Sequence, residues 1–223
     1  GVIGGIDFLR KVVRNETIDL GKNVAIVGGG NTAMDACRTA VRLGADKVYN
    51  IYRRTKDEMP ADMLEIEEAE EEGVIFLNLT NPLEIISDEN GHCRQMVLQV
   101  MELGEPDASG RRAPIPVEGK TETIDVDTVI LAIGQRVNAE GIEGAELTRK
   151  GGLVYDKDTY MTARPGVFAG GDCGNDKISI AVEAIGDAKK SYLIVDAYLR
   201  GEEIKYEPNY YVSKKDVTAA TFE

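Results

Sequence analysis

The chain has 223 residues, with 39 Asp and Glu against 26 Lys and Arg, a formal charge of −13, 24 glycines and three cysteines. That length allows one large domain or two modest ones, and a composition of 43% apolar and 29% charged residues excludes wholesale disorder. The acidic balance excludes nucleic acid as a general partner, since phosphate neutralisation needs clustered Lys and Arg, and no apolar run approaches the roughly 18–20 residues that span a bilayer.

The opening stretch, GVIGGIDFLRKV, has neither an initiator Met nor the basic n-region of a secretory signal. The expectation is a cytoplasmic location and a chain that is an excerpt of something longer. Residues 5–14 read as a short amphipathic helix with Ile6, Leu9 and Val13 on one face. NVAIV (23–27) is a short apolar run suited to a buried parallel strand. A glycine triplet follows, and then Ala33, Cys37, Ala40 and Val41 recur at helical spacing up to Gly44. KVYNIY (47–52) is a second strand, Pro60 opens a helix that runs through Glu72 to Gly73, and VIFLNL (74–79) is a third strand. Strand and helix in alternation imply an α/β fold: a right-handed parallel sheet with helices packed on its faces.

From Pro82 to about Asp127 the helical period disappears. LEIIS and RQMVLQVMEL are separated by DENGH, which has hairpin chemistry, and a polar loop, GEPDASGRRAPIP, leads to TETIDVD. An antiparallel meander inserted before a last core strand, TVILAI (128–133), accounts for this pattern. A segment rich in Gly and Glu then leads to GVFAGGD (166–172), read as a strand ending in Gly-Asp. A long helix over about 177–200 is expected to bury Ala181, Ala184, Ile185, Ala188, Tyr192, Val195 and Leu199. The tail, with Tyr206, Pro208, Tyr210 and Tyr211, is expected to pack along the surface.

Three groups of residues carry chemistry. In VAIVGGGNTAMD, Gly28-x-Gly30-x-x-Ala33 follows a strand and opens a helix: Gly28 permits a tight turn, Gly30 lets backbone approach a pyrophosphate, and Ala33 allows close helix–strand contact. The N–H groups near Asn31 and Thr32 add donors and a partial positive charge. The plainer alternative is a glycine turn with no ligand. A site for NAD would place an acid at the tip of the second strand, on the ribose 2′-hydroxyl. Here the strand ends in Tyr52-Arg53-Arg54, and two guanidiniums suit a 2′-phosphate, so NADPH is preferred over NADH; the alternative is a solvated basic corner. In the third group, Asp172 offers a carboxylate to a polyol hydroxyl at a strand-to-helix turn, although a capped turn with no ligand reads equally well.

GGGNTAMD, YRRTKDEMPA, TVILAIGQ and GVFAGGD followed by ISIAVEAIGDAKKS together resemble the FAD-dependent pyridine nucleotide oxidoreductases, and within them the glutamate synthase small-subunit group. The resemblance runs from the amino terminus to the long helix. It implies a Rossmann-type NADPH-binding domain over residues 1–134, carrying the meander, and the carboxyl-terminal portion of an FAD-binding domain over 135–223. It places Gly28, Gly30, Asn31, Thr32 and Ala33 at the NADPH pyrophosphate and Arg53 and Arg54 at the 2′-phosphate. Ala132, Ile133, Gly134 and Gln135 match the passage between domains, Gly171 and Asp172 the FAD pyrophosphate and ribitol, and Ser179 and Ile180 the flavin ring. It implies hydride transfer from NADPH to FAD, with electrons passed to an iron–sulfur or glutamate-synthase-like partner domain or subunit. This chain has one glycine fingerprint where the family has two, and it lacks the iron–sulfur segment. FAD is therefore expected of the intact protein, and the competing expectation is a nucleotide-binding module without activity of its own.

The remaining candidates have bland readings. Cys37 is expected in the core, and Cys173 has no C-x-x-C partner with which to form a redox disulfide, which disfavours a disulfide reductase. His92 beside Cys93 reads as a surface turn rather than a metal site, and a single histidine excludes triad hydrolysis. The acidic run Glu65–Glu72 reads as a solvated face, with a docking surface for a basic partner as the alternative.

Overall fold

A computed structural model describes residues 1–106, 112–174 and 181–202. The chain divides into two compact units, Gly1–Gly134 and Gln135–Glu223.

The first unit is built on a five-stranded parallel sheet in the order β1-β8-β2-β3-β4, formed by Val2–Gly4, Thr128–Leu131, Asn23–Val27, Lys47–Tyr52 and Ile75–Asn78 respectively. The helices α1 (Gly5–Val13), α2 (Asn31–Arg42) and α3 (Met63–Glu71) connect β1 to β2, β2 to β3 and β3 to β4. Alternate residues of β2 face opposite ways. Val24 and Ile26 pack with Phe8, Met34, Cys37 and Ile66 of the helices, while Ala25 and Val27 pack with Met96, Leu98 and Val126 of the insertion. Both faces are thus covered, which is why β2 reads as a continuous apolar run rather than an alternating one.

The helices lie on one face only, not on both as expected. Each of the three crossovers moves along the sheet in the same direction, and crossovers of one hand then place every helix on the same side. The opposite face is covered by a three-stranded antiparallel sheet of β5 (Thr80–Ser87), β6 (Cys93–Pro106) and β7 (Arg112–Asp125). Much of the expected polar loop is therefore ribbon: β6 runs on to Pro106, which pairs with Arg112. Pro114 and Pro116, at the end of that expected loop, lie in β7, an edge strand that tolerates residues without an N–H. Strand β1, three residues long, is too short to announce itself by pattern.

Pro60 lies outside the helix it was expected to open. Met59 before it is extended (φ −68°, ψ 132°), as a following proline favours. Helix α3 starts instead at Asp62, whose carboxylate accepts from the Leu64 N–H at 2.9 Å.

The second unit, by itself, is held by the single bridges Leu147–Leu153, Tyr155–Thr162 and Met161–Phe168, and by α4 (Ala181–Arg200). GVFAGGD is not a sheet strand. A turn at Gly166 (φ +78°) folds it back on residues 160–162, where Thr162 N–H donates to Val167 O and Ala169 N–H to Tyr160 O, both at 2.8 Å. Gly171–Cys173 then forms one turn of 3₁₀ helix. Nor does α4 bury the expected face: Ile185 is 55% and Leu199 76% exposed, and Ala181, Ala188 and Tyr192 are exposed too. Its inward residues are Ala184, whose methyl faces Gly171, together with Asp187 and Ile194. The bonds made by Asp187 fix the rotation of the helix, and hydropathy alone does not register them. Residues 203–223, and with them the expected packing of the tail, lie outside the described residues.

Candidate nucleotide-binding site

The site in the first unit lies at the carboxyl ends of adjacent strands β2, β3 and β8, where ligands of open parallel sheets bind. The glycine turn is fastened from below. Gly28 N–H donates to Ile51 O at 3.0 Å, and the buried Asn50 side chain donates from Nδ2 to Gly28 O at 2.9 Å. Gly28 has φ +142°, and a Cβ there would lie 2.3 Å from Ala132 O. A Cβ on Gly29 would come 2.5 Å from the Tyr52 ring. Above Gly30, in contrast, nothing lies within 4 Å of an added Cβ.

Gly30 is the N-cap of α2 and provides no side-chain cap, although its carbonyl accepts from Ala33 N–H and Met34 N–H. Asn31 and Thr32 N–H, one and two positions into the helix, are without a protein acceptor among the described residues. Asn31 turns its side chain outward, accepting from Asp62 N–H at 2.9 Å, while Ala61 N–H donates to Gly29 O. These two bonds tie the start of α3 to the glycine turn and hold residues 61–62 out of the helix. Ala33 is fully buried against the sheet. An open backbone cradle at a helix N-terminus fits a pyrophosphate.

The two arginines differ. Arg53 is exposed at the tip of β3, whereas Arg54 is 8% exposed and donates from Nε to Arg112 O at 2.9 Å. Among the described residues no carboxylate lies within ion-pairing distance of either. The two terminal nitrogens of Arg54 have no protein acceptor among the described residues, and a phosphate suits them with a bidentate geometry.

Ala132 N–H donates to Val27 O at 2.8 Å, and Ile133, Gly134 and Gln135 beyond it are exposed. In the second unit, Gly171 N–H donates to Asp187 Oδ2 at 2.8 Å and Tyr160 hydroxyl to Asp187 Oδ1 at 3.0 Å. Asp172 is exposed. Ser179 and Ile180 lie outside the described residues.

Asn50, which supports the glycine turn, and Arg112, which meets Arg54, lie outside every motif, and the contact of Tyr52 with the glycine turn is one that its motif does not report. Asn50 carried one signal, a polar residue in the middle of an otherwise apolar strand. Arg112 carried none. Cys37 packs in the core as expected, and burial pushes its thiol up to about 12. Cys37, Cys93 and Cys173 are all free. No group of His, Cys, Asp and Glu able to hold a metal occurs among the described residues.

The sequence profile of the pyridine nucleotide-disulphide oxidoreductase family matches residues 1–188. The chain belongs to that family. It is 43% identical over 202 residues to the beta subunit of an NADP(+)-dependent formate dehydrogenase from Moorella thermoacetica, an alignment covering 90% of this chain and 28% of that protein. To the glutamate synthase [NADPH] small chain of Escherichia coli it is 38% identical over 179 residues, covering 77% of this chain and 37% of that one. This bears out the resemblance to the glutamate synthase small-subunit group. The fold matches that of FprA from Mycobacterium tuberculosis, solved in complex with NADPH, with a TM-score of 0.68 at 16% identity, over 93% of this chain and 61% of that chain. The chain thus spans less than half the length of either sequence relative. No helix among its described residues is long and apolar enough to cross a membrane.

Proposed function

We propose that this chain is the NADPH-binding part of a flavin-dependent oxidoreductase in which hydride passes from NADPH to FAD and electrons move on to an iron–sulfur or partner subunit. The observation that carries the NADPH assignment is Arg54, a largely buried arginine with its Nε fixed and no carboxylate beside it among the described residues, next to exposed Arg53 and at the strand tip where an NAD site would hold an acid. The names of the two relatives, both NADP-linked, support the same choice.

In this reading the cradle over Gly30 and the N–H groups of Asn31 and Thr32 hold the pyrophosphate, Gly28 and Ala33 allow the close turn, and Arg53 and Arg54 bind the 2′-phosphate. Residues 1–134 form the NADPH domain and 135–223 a portion of the FAD domain, with Ile133 and Gly134 at the passage between them. FAD, when bound to the whole protein, would supply the redox chemistry. The part of this chain is binding and orientation. Asp172 would accept from a polyol hydroxyl of FAD, and Gly171 supports that turn through its bond to Asp187. The setting is cytoplasmic. A second reading, a nucleotide-binding module without activity, is favoured by one observation: a single glycine fingerprint serves a two-nucleotide reaction.

Titration of the purified chain with NADPH and NADH tests the assignment. NADPH is expected to bind at least about tenfold more tightly, the worth of one charge-assisted contact, and equal affinities would overturn it. Flavin absorbance separates the two readings: a colourless chain that binds NADPH leaves only the module for this chain by itself.

A further inference from the structure

Arg54 is gripped by the inserted ribbon at two points. Its backbone carbonyl accepts from Leu79 N–H at 3.0 Å, and Leu79 O in turn accepts from Met101 N–H at 2.7 Å. Leu79 adopts φ +53°, an unusual backbone for a leucine, at the junction of β4 and β5. The side chain of Arg54 donates from Nε to Arg112 O at 2.9 Å, 58 residues further along the chain.

That carbonyl is itself held in place. Register shifts interrupt β6–β7 between Gln99 and Met101 and between Leu103 and Pro106, and such bulges bend a ribbon and re-aim it. Across the second of them Arg112 donates from Nε to Gly104 O at 2.8 Å and from Nη2 to Leu103 O at 3.2 Å. The side chain of Arg112 is thus a staple closing the bulge, and its carbonyl is the stop against which Arg54 rests. With Nε committed, the two terminal nitrogens of Arg54 form the edge left for a bidentate anion.

We infer that Arg112 is a specificity-determining positioning residue: by stapling the bulged ribbon it aims the Arg54 guanidinium at the 2′-phosphate of NADPH without touching the nucleotide itself. This rests on the NADPH reading given above and adds to it a residue that lies outside every nucleotide motif. The rest of the dinucleotide is held by the glycine turn, so NADH, which lacks the 2′-phosphate, should be indifferent to Arg112.

The test is a double-variant cycle on the full chain, with Kd for NADPH and for NADH measured in each member. Wild-type preference comes first; if wild type binds both equally, the NADPH reading itself fails. Given that preference, Arg112→Ala should weaken NADPH binding about tenfold, the scale of one misaligned charge-assisted contact, and leave NADH binding unchanged. In the Arg54→Ala background the same change should have no further effect, because coupled residues are non-additive. Arg112→Lys, which keeps the charge but loses the planar fork, should fall with Arg112→Ala. Unchanged NADPH affinity in Arg112→Ala overturns the inference. So do losses that add in the double variant, or full rescue by lysine, since either would make Arg112 a direct charge on the phosphate. The NADH affinity of each variant reports that the site is still folded.

Discussion

Gly28, Gly29 and Gly30 are adjacent in the chain and differ in what surrounds them. A side chain at Gly28 meets the Ala132 carbonyl with the backbone at φ +142°, and at Gly29 it meets the Tyr52 ring; at Gly30 it meets nothing. Gly28→Ala should therefore lower stability, by about 1–3 kcal/mol for overpacking and strain, as read by thermal or urea unfolding. Gly30→Ala should leave unfolding within about 0.5 kcal/mol of wild type yet weaken NADPH binding by about tenfold or more, because the methyl occupies the phosphate cradle. Tight NADPH binding by Gly30→Ala would remove the cradle from the site. Asn50 supports the same turn. Replacing it by leucine strands the Gly28 carbonyl, and a cost of about 1–3 kcal/mol in urea unfolding is expected. The glycines were legible because a motif of spacing reports them. The support that Asn50 and Tyr52 give this turn was not, because it is made through contacts with glycines far back along the chain.

At the level of elements, the acidic helix α3 changes character when its neighbour is seen. Arg38 of α2 pairs with Glu68 at 2.6 Å and with Glu72 at 2.8 Å, and Arg42 pairs with Glu72 at 2.6 Å. Lys56 pairs with Glu70. Much of what reads in sequence as a solvated acidic face is an ion-pair network between helices. The Arg42 hydrogen bond, and then that of Arg38, hold the Glu72 carboxyl below its usual range. A group depressed in this way stabilises the fold above its unfolded value, and that contribution is lost as pH falls through the folded one. Glu72→Gln should thus be less stable than wild type near pH 7, by about 1 kcal/mol for a partly exposed network. The two proteins should converge in Tm as the pH is lowered past the carboxylate range. A difference that persists in acid would mean that charge is not the cause.

Helix α4 shows the converse. Its length and helical character were legible, but its orientation was not: the apolar period selects Ile185, Tyr192 and Leu199, whereas Asp187 holds the helix to Gly171 and Tyr160. Removing the shared acceptor with Asp187→Ala should destabilise the second unit by about 1–3 kcal/mol. A urea midpoint unchanged by that variant would show that the two bonds do not set the helix.

On the scale of the whole molecule, the first unit has its own sheet, with a core on each face of it. Residues 1–134 expressed alone should unfold cooperatively and bind NADPH within about threefold of the full chain, a difference under 1 kcal/mol. Loss of binding in a folded 1–134 would show that the second unit contributes to the site.

Seven of the eight strands among the described residues, the helices of the first unit and the glycine turn follow from local pattern: runs of apolar residues, turn chemistry and the spacing of glycines act between near neighbours, so the sequence by itself determines them. It also determines that the tip of β3 is basic rather than acidic, in a chain of charge −13. Only the tertiary structure decides that the helices share one face, that the ribbon covers the other, and that α2 and α3 neutralise each other. It alone distinguishes Arg53 from Arg54, identical in sequence and adjacent, one exposed and one seated on the carbonyl of Arg112. The physical reason is the same in each case. These outcomes depend on burial and on hydrogen bonds between residues tens of positions apart, and no local period records which distant group will arrive.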